Sequence, residues 1–213
     1  MRRLRCLLFV SIGLALSGCA GLLHSTAPAL QLYVLAPSAP SGSSPAPHGS
    51  GPTLRIARPL SGPALNTDRI ALLRPGNRLD YYAGSRWSAP LTDLVSDLQL
   101  TVLRGDPAWG AVADDRSTFN ADYLLQISID QFTAEYASES VAPDIRVELH
   151  GLLIRRSDGS LVGSFAVAEK GTAKENHMAS VIATFSAVAN QAVLDVQTRA
   201  DQLLRSVKLP PTP

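Results

Sequence analysis

Apolar and polar residues alternate along two stretches of this chain and recur every three or four positions along two others. Tyr123, Leu125, Ile127 and Ile129 alternate with Leu124, Gln126, Ser128 and Asp130, and Ile145, Val147, Leu149 and Leu153 alternate with Arg146, Glu148 and His150. A period of two puts one set of side chains on one face, so each stretch predicts a half-buried strand. Between them and the next apolar run stands Arg156-Ser157-Asp158-Gly159-Ser160. Its Asp-Gly pair predicts a hairpin into a strand over 161–169, with Phe165 and Val167 inward. Leu91, Leu94, Val95, Leu98 and Val102 form one helical stripe. That spacing predicts a helix capped by Ser88, with Pro90 in its first turn, ending near Arg104 at a left-handed Gly105. Val181, Phe185, Val188, Ala192, Val196, Ala200, Leu203 and Val207 predict a second, longer helix, closed by Pro210-Pro211. Its start is a Thr172–Glu175 capping box or a cap by Asn176.

Shorter runs add strands over 30–35, 54–58, 69–74 and 78–82. Arg74-Pro75-Gly76-Asn77 supplies a type II turn between the last two, since proline presets one φ and glycine takes the positive one. The segment 36–51 (APSAPSGSSPAPHGSG) reads as a flexible loop. A loop of that length leaves open whether the first strand joins the main sheet. The order of elements predicts an α+β domain: a two-layer sandwich with a mostly antiparallel sheet and two helices packed on one face. The aromatic pair Phe165 and Phe185 is expected in its core.

The N-terminus changes the picture. Arg2, Arg3 and Arg5 precede an apolar run over 6–16, then Leu16-Ser17-Gly18-Cys19. An apolar run of about 11 residues suits a secretory leader, because roughly 20 are needed to span a bilayer. Small residues before Cys19 resemble a lipobox, in which the cysteine sulfur takes a diacylglycerol, the chain is cut before the cysteine and its new amine is acylated, making Cys19 residue one. The other reading is an ordinary signal peptide with a cysteine at its cleavage site. Ala20 after Cys19 favours the outer membrane by resemblance to enteric lipoproteins. The expected partition is a signal peptide over 1–18, a lipidated tether over 19–29, one domain over 30–207 and a tail over 208–213. No further apolar span is expected.

Losing the three leader arginines from 19 Lys and Arg leaves 16 against 18 Asp and Glu, a net of −2, which argues against nucleic-acid binding. Residues 51–90 nevertheless hold six arginines (Arg55, Arg58, Arg69, Arg74, Arg78, Arg86) against Asp68 and Asp80. They are solvated strand faces, or they meet an acidic partner or anionic lipid head groups. Cys6 leaves with the leader and Cys19 with the lipid, so no thiol remains for a disulfide or a nucleophile.

No metal or cofactor site is expected. His24 and His48 fall in the tether and loop, His150 on a polar strand face, and His177 has no partner at ligand spacing. No GxSxG elbow or glycine-rich phosphate loop occurs, and Asp114-Asp115 reads as a solvated turn in a loop. Tyr81, Tyr82, Arg86 and Trp87 cluster before the first helix and are candidate partner contacts, aromatics and arginine being enriched at binding hot spots. Trp87 equally suits a staple against Leu91. Trp109 and Phe119 flank an irregular loop and suit the sheet's edge.

LQLYVLAP, LRIARPL, RIALLRPGNRLDYYAGSRWSAPLTDLV, ADYLLQISIDQF and the terminal amphipathic helix together resemble the ABC-type transport auxiliary lipoproteins, the PqiC-like group. The resemblance spans 30–204, and the loop over 36–51 is longer and richer in proline and serine than the family pattern. It implies a non-catalytic accessory subunit of an ABC/MCE-type envelope phospholipid transport system. Such a subunit sits lipid-anchored on the periplasmic face of the outer membrane and engages a periplasmic MCE-domain protein. Partners would be that protein, the ABC transporter or membrane components, outer-membrane lipids through the acyl groups, and copies of itself in a ring. A different class of function is an outer-membrane lipoprotein that activates or scaffolds a peptidoglycan synthase or another envelope machine. A lipid-modified hydrolase is a third, if a serine or aspartate stands within hydrogen-bond reach of His150.

Overall fold

The strand Tyr123–Glu135 is the spine around which the rest is arranged. The computed structural model describes residues 29–37, 51–138 and 141–207. Outside the described residues lie the leader 1–18, Cys19 and the tether to residue 28, together with His24, His48, loop residues 38–50 and the tail 208–213. The described elements in chain order are β1 (Gln31–Tyr33), β2 (Thr53–Ile56), β3 (Leu60–Ser61), β4 (Arg69–Arg74), β5 (Arg78–Trp87), α1 (Leu91–Arg104), β6 (Ala111–Asp114), β7 (Tyr123–Glu135), β8 (Asp144–Arg155), β9 (Leu161–Thr172) and α2 (Met178–Ser206). From Gln31 onward they form one unit.

Among the described residues the fold is α+β, with two helices and a mostly antiparallel sheet. The long pairings, β7 with β8, β8 with β9 and β4 with β5, are antiparallel. One flank of β7 is taken by β8 along its whole length. The other flank is shared by β2, β3 and β4, all parallel to it, with β6 outside β2 and β5 then β1 outside β4. β1 therefore does join the sheet, as an edge strand parallel to β5. The parallel strands β3 and β6 were not expected; they are too short to carry a periodic pattern.

The core lies between this sheet and the helices. α2 packs on β8 and β9, and α1 packs on α2, β2 and β6. Leu125, Ile127, Ile129, Ile145, Val147, Leu149 and Leu153 are all buried, as their alternation predicts. A bulge between Ile129 and Gln131 then shifts the inward phase of β7 to Phe132 and Ala134. On α2, Val181, Phe185, Val188, Ala192, Val196 and Ala200 are buried. The most apolar 18-residue window of α2 has a mean hydropathy of 1.3, but half of it is buried in the fold, as befits a core helix. Phe185 meets Phe132 and Trp87 rather than Phe165. Phe165 instead lies over Gly151, its partner on β8, where an added Cβ would fall 2.2 Å from the ring.

The helix ends differ from expectation. α1 starts after Pro90, which has no side-chain bond, so Ser88 is not its cap, and Gly105 has a φ of −81°, not a left-handed one. The stop there is the Gly105 N–H donating to Val102 and Leu103 carbonyls. α2 is capped by His177, whose Nδ1 accepts from the Ser180 N–H at 3.2 Å. Thr172 cannot cap because it is still in β9, and Asn176 is bonded to Tyr136.

Candidate functional site

The β4–β5 hairpin carries the residues singled out as partner contacts. Its turn holds Gly76 at a φ of +79°, with Asn77 also positive at 57°, so proline and glycine close it as expected. Farther along, Gly84 has a φ of +67°, and the pairing with β4 shifts register between Arg69 and Ala71. A glycine is needed there, because only it adopts this conformation cheaply. The shift reverses which residues of β5 point toward the helices: Asp80 and Tyr82 before it, Ser85 and Trp87 after it.

The four candidates are consequently separated. Trp87 is 2% exposed, standing edge-on to Phe185 at 5.4 Å and Phe132 at 6.1 Å between ring centroids. It is a core residue and presents no surface to a partner. Tyr81 lies on the opposite side of the strand from Tyr82, under the guanidinium of Arg69 at 3.6 Å, and its hydroxyl donates to the Ala64 carbonyl. Arg86 pairs with Asp68 at 2.8 Å and shares the side of Tyr81.

Tyr82 is the residue placed in a site. Its hydroxyl is 2.9 Å from that of Tyr136 at the end of β7, and the Tyr136 hydroxyl donates to Asn176 Oδ1 at 2.9 Å. The two rings are tilted by 59°. Beside them, Asp80 accepts from the Tyr81 N–H at 2.8 Å and from Arg74 Nε at 3.2 Å. Those two bonds hold the Asp80 carboxyl below the usual range. Burial, then the Tyr136 hydroxyl, pushes the Tyr82 phenol above its ordinary value. It therefore stays neutral, a donor and acceptor rather than a base. Leu72, Arg74, Asp80, Tyr82, Tyr136 and Asn176 line a recess of about 360 Å³ here. Tyr136 and Asn176 were not expected beside Tyr82, because 54 and 94 positions separate them from it and only the pairing of β4 with the end of β7 and the β9–α2 connection bring them together.

Elsewhere the side chains are arranged for structure. His177 Nε2 pairs with Glu175 at 2.9 Å. His150 stands opposite Ser128 on the face away from the helices, and no hydrogen bond joins them among the described residues. No group of three metal-ligating side chains occurs among the described residues. Asp114 ends β6 rather than lying in a loop, and its bonds from Arg116, at 2.7 and 2.9 Å, hold its carboxyl low. Trp109 is buried edge-on to Tyr123 at 6.0 Å, while Phe119 lies under the Arg55 guanidinium at 5.9 Å.

Comparison with known proteins gives a family and a fold. The model of a family described as ABC-type transport auxiliary lipoprotein component matches residues 33–197. No curated protein sequence matches the chain. Among solved structures, protein XCC0632 from Xanthomonas campestris, described as family DUF330, superposes with a TM-score of 0.69 at 23% identity, covering 83% of this chain and 97% of that one. An uncharacterized protein superposes at 0.63 with 12% identity over 81% of this chain and 99% of its own. The hypothetical protein CT253 from Chlamydia trachomatis superposes at 0.51 with 8% identity over 74% and 99%. At these identities the likeness is one of fold.

Proposed function

We infer that this chain, which belongs to the ABC-type transport auxiliary lipoprotein family, acts as a non-catalytic accessory subunit of an ABC/MCE-type envelope phospholipid transport system. Acylated Cys19 holds it on the periplasmic face of the outer membrane, and the folded domain docks on the periplasmic MCE-domain protein. The family match over residues 33–197 carries this reading. It is supported by a leader ending in Leu16-Ser17-Gly18-Cys19 and by a mature chain without a free thiol. The recess around Tyr82 and Tyr136 supplies the docking surface: neutral hydroxyls, an Arg74–Asp80 pair and apolar ring edges, the mixture found where proteins meet. Copies of the chain assembling around the MCE partner belong to the same proposal.

Co-purification with an MCE-domain protein of the same organism tests the reading. The wild-type chain is expected to co-elute, and Tyr82→Ala with Tyr136→Ala to lose the complex while remaining folded. Failure of the wild type to co-elute would remove the MCE assignment, and an unaffected double variant would remove this surface.

A further inference from the structure

On the side of the β1–β5 edge turned away from the helices, apolar side chains stand exposed beside half-buried aromatic and cationic ones. β1 pairs in register with β5, Leu32 opposite Arg86 and Tyr33 opposite Trp87. Trp87 is in the core, so Leu32 points the other way, to the side of Arg86. Leu32 is 63% exposed; Val34 follows the same alternation at 57%, while Leu35 between it and the loop is buried. On β5, Leu79 is 42% exposed and shares the side of Tyr81. Arg69 stacks on Tyr81 and stands opposite Arg86 in the β4–β5 register.

We propose that this surface, with Leu32 and Val34 as its apolar wedge and Arg69, Arg86 and Tyr81 as its rim, lies on the bilayer and seats the domain against anionic phospholipid head groups. Three observations select a lipid surface as the occupant. First, only about a dozen residues separate Cys19 from β1, so the acyl anchor keeps this edge within some 40 Å of the membrane. An apolar strip so tethered meets lipid at high effective concentration. Second, the chemistry suits an interface: arginine extends its charge to head groups over an apolar stem, and tyrosine rings settle at that level. Third, two of the arginines of residues 51–90 stand together on this side, Arg69 over the Tyr81 ring and Arg86 opposite Arg69, and among the described residues only Asp68, at 2.8 Å from Arg86, pairs with them. The lipid on Cys19 supplies the attachment, and a contact of this kind sets the orientation of the domain. The helices and the Tyr82 recess then face away from the bilayer, free for a partner. The inference rests on acylation of Cys19 for its anchor, though not for its surface.

The test uses the lipidated chain in vesicles of phosphatidylethanolamine and phosphatidylglycerol. With Cys19 acylated the mature chain has no other thiol, so Leu32→Cys, Val34→Cys and Gln191→Cys on α2 each give a single labelling position for an environment-sensitive fluorophore. Labels at 32 and 34 are expected to be quenched by lipid-borne quencher at least about threefold more than the label at 191. Equal quenching at all three, or none at 32 and 34, overturns the proposal. A second arm separates surface from anchor: the Cys19→Ala chain is mixed with the same vesicles and with phosphatidylcholine vesicles. Weak, salt-sensitive binding to the anionic vesicles is expected, reduced roughly tenfold by Leu32→Ser with Val34→Ser. Binding indifferent to these changes refutes the surface. Loss of flotation in the wild type with an unmodified N-terminus refutes the anchor alone.

Discussion

The ring of Phe132 on β7 lies parallel to that of Phe185 on α2, 5.2 Å away between centroids and 10° apart in plane. Trp87 closes the group edge-on to both, so three elements meet at one aromatic cluster. Each ring is at most 2% exposed. Phe185→Ala should therefore destabilise the domain by ~3–5 kcal/mol, the range for aromatic truncation in a core. Phe185→Leu should cost less than half as much. Urea unfolding of the two variants measures the difference.

Asp201 on α2 makes stability depend on pH. Burial, then the charge of Asp106, pushes the Asp201 carboxyl up to about 6. A carboxyl raised in the folded state holds its proton more tightly there than in the unfolded chain. Stability is then highest near pH 4 and declines as pH rises to about 6. Glu169, raised by burial and by Asp195, acts in the same sense. Asp80, Asp114, Asp122 and Asp158, all lowered, act only below about pH 4, where their contribution is lost as acid protonates them. The shift caps the effect at ~3 kcal/mol, and residual solvent contact brings it to ~1–2 kcal/mol. Asp201→Asn should gain that amount at pH 7 and nothing at pH 4, read from unfolding midpoints at both.

Gln99 on α1 is fully buried, and neither its Nε2 nor its Oε1 has a partner among the described residues. A buried amide without hydrogen bonds costs more than an apolar side chain of the same shape. Gln99→Met is expected to raise stability by ~1–2 kcal/mol, whereas Gln99→Ala should lower it by opening a cavity. A thermal melt of each variant distinguishes the two signs.

The Tyr82 and Tyr136 hydroxyls should couple. Removing either by Tyr→Phe leaves the other with one partner fewer, at ~0.5–1.5 kcal/mol. The double variant should cost less than the sum, since the bond between them can be lost only once. Strict additivity in a double-mutant cycle would show that the 2.9 Å contact contributes nothing.

Gly84 is a backbone position rather than a packing one. Nothing lies within 4 Å of where its Cβ would be, yet its φ is +67°. Gly84→Ala should cost ~1–2 kcal/mol from the left-handed conformation alone. Gly84→Asn, which tolerates that region better, should recover part of it.

Much of this protein was legible from local pattern. The alternation in 123–130 and 145–153 and the helical stripe from Val181 to Ala200 marked buried faces, because a side chain's direction within one element follows from the period of its backbone. Leu203 and Val207 at the end of that stripe are only half-buried. The Asp158-Gly159 and Pro75-Gly76 pairs located both hairpin turns for the same reason: φ preference belongs to the residue itself.

Where a phase changes, and which residues meet across a long gap in sequence, were settled by the packing of the elements. Tyr81 and Tyr82 face opposite sides by simple alternation, and Gly84 then flips the phase of β5, so that Trp87 enters the core while Arg86 shares the side of Tyr81. The choice of His177 over Thr172 or Asn176 as helix cap depended on β9 running on to Thr172 and on Tyr136 taking Asn176. The parallel strands β3 and β6 exist because β7 and β2 offer them a hydrogen-bonding edge, which no run of two or four residues can announce. Direction within an element is set by its own backbone; burial and pairing are set by neighbours that the chain brings up from far away.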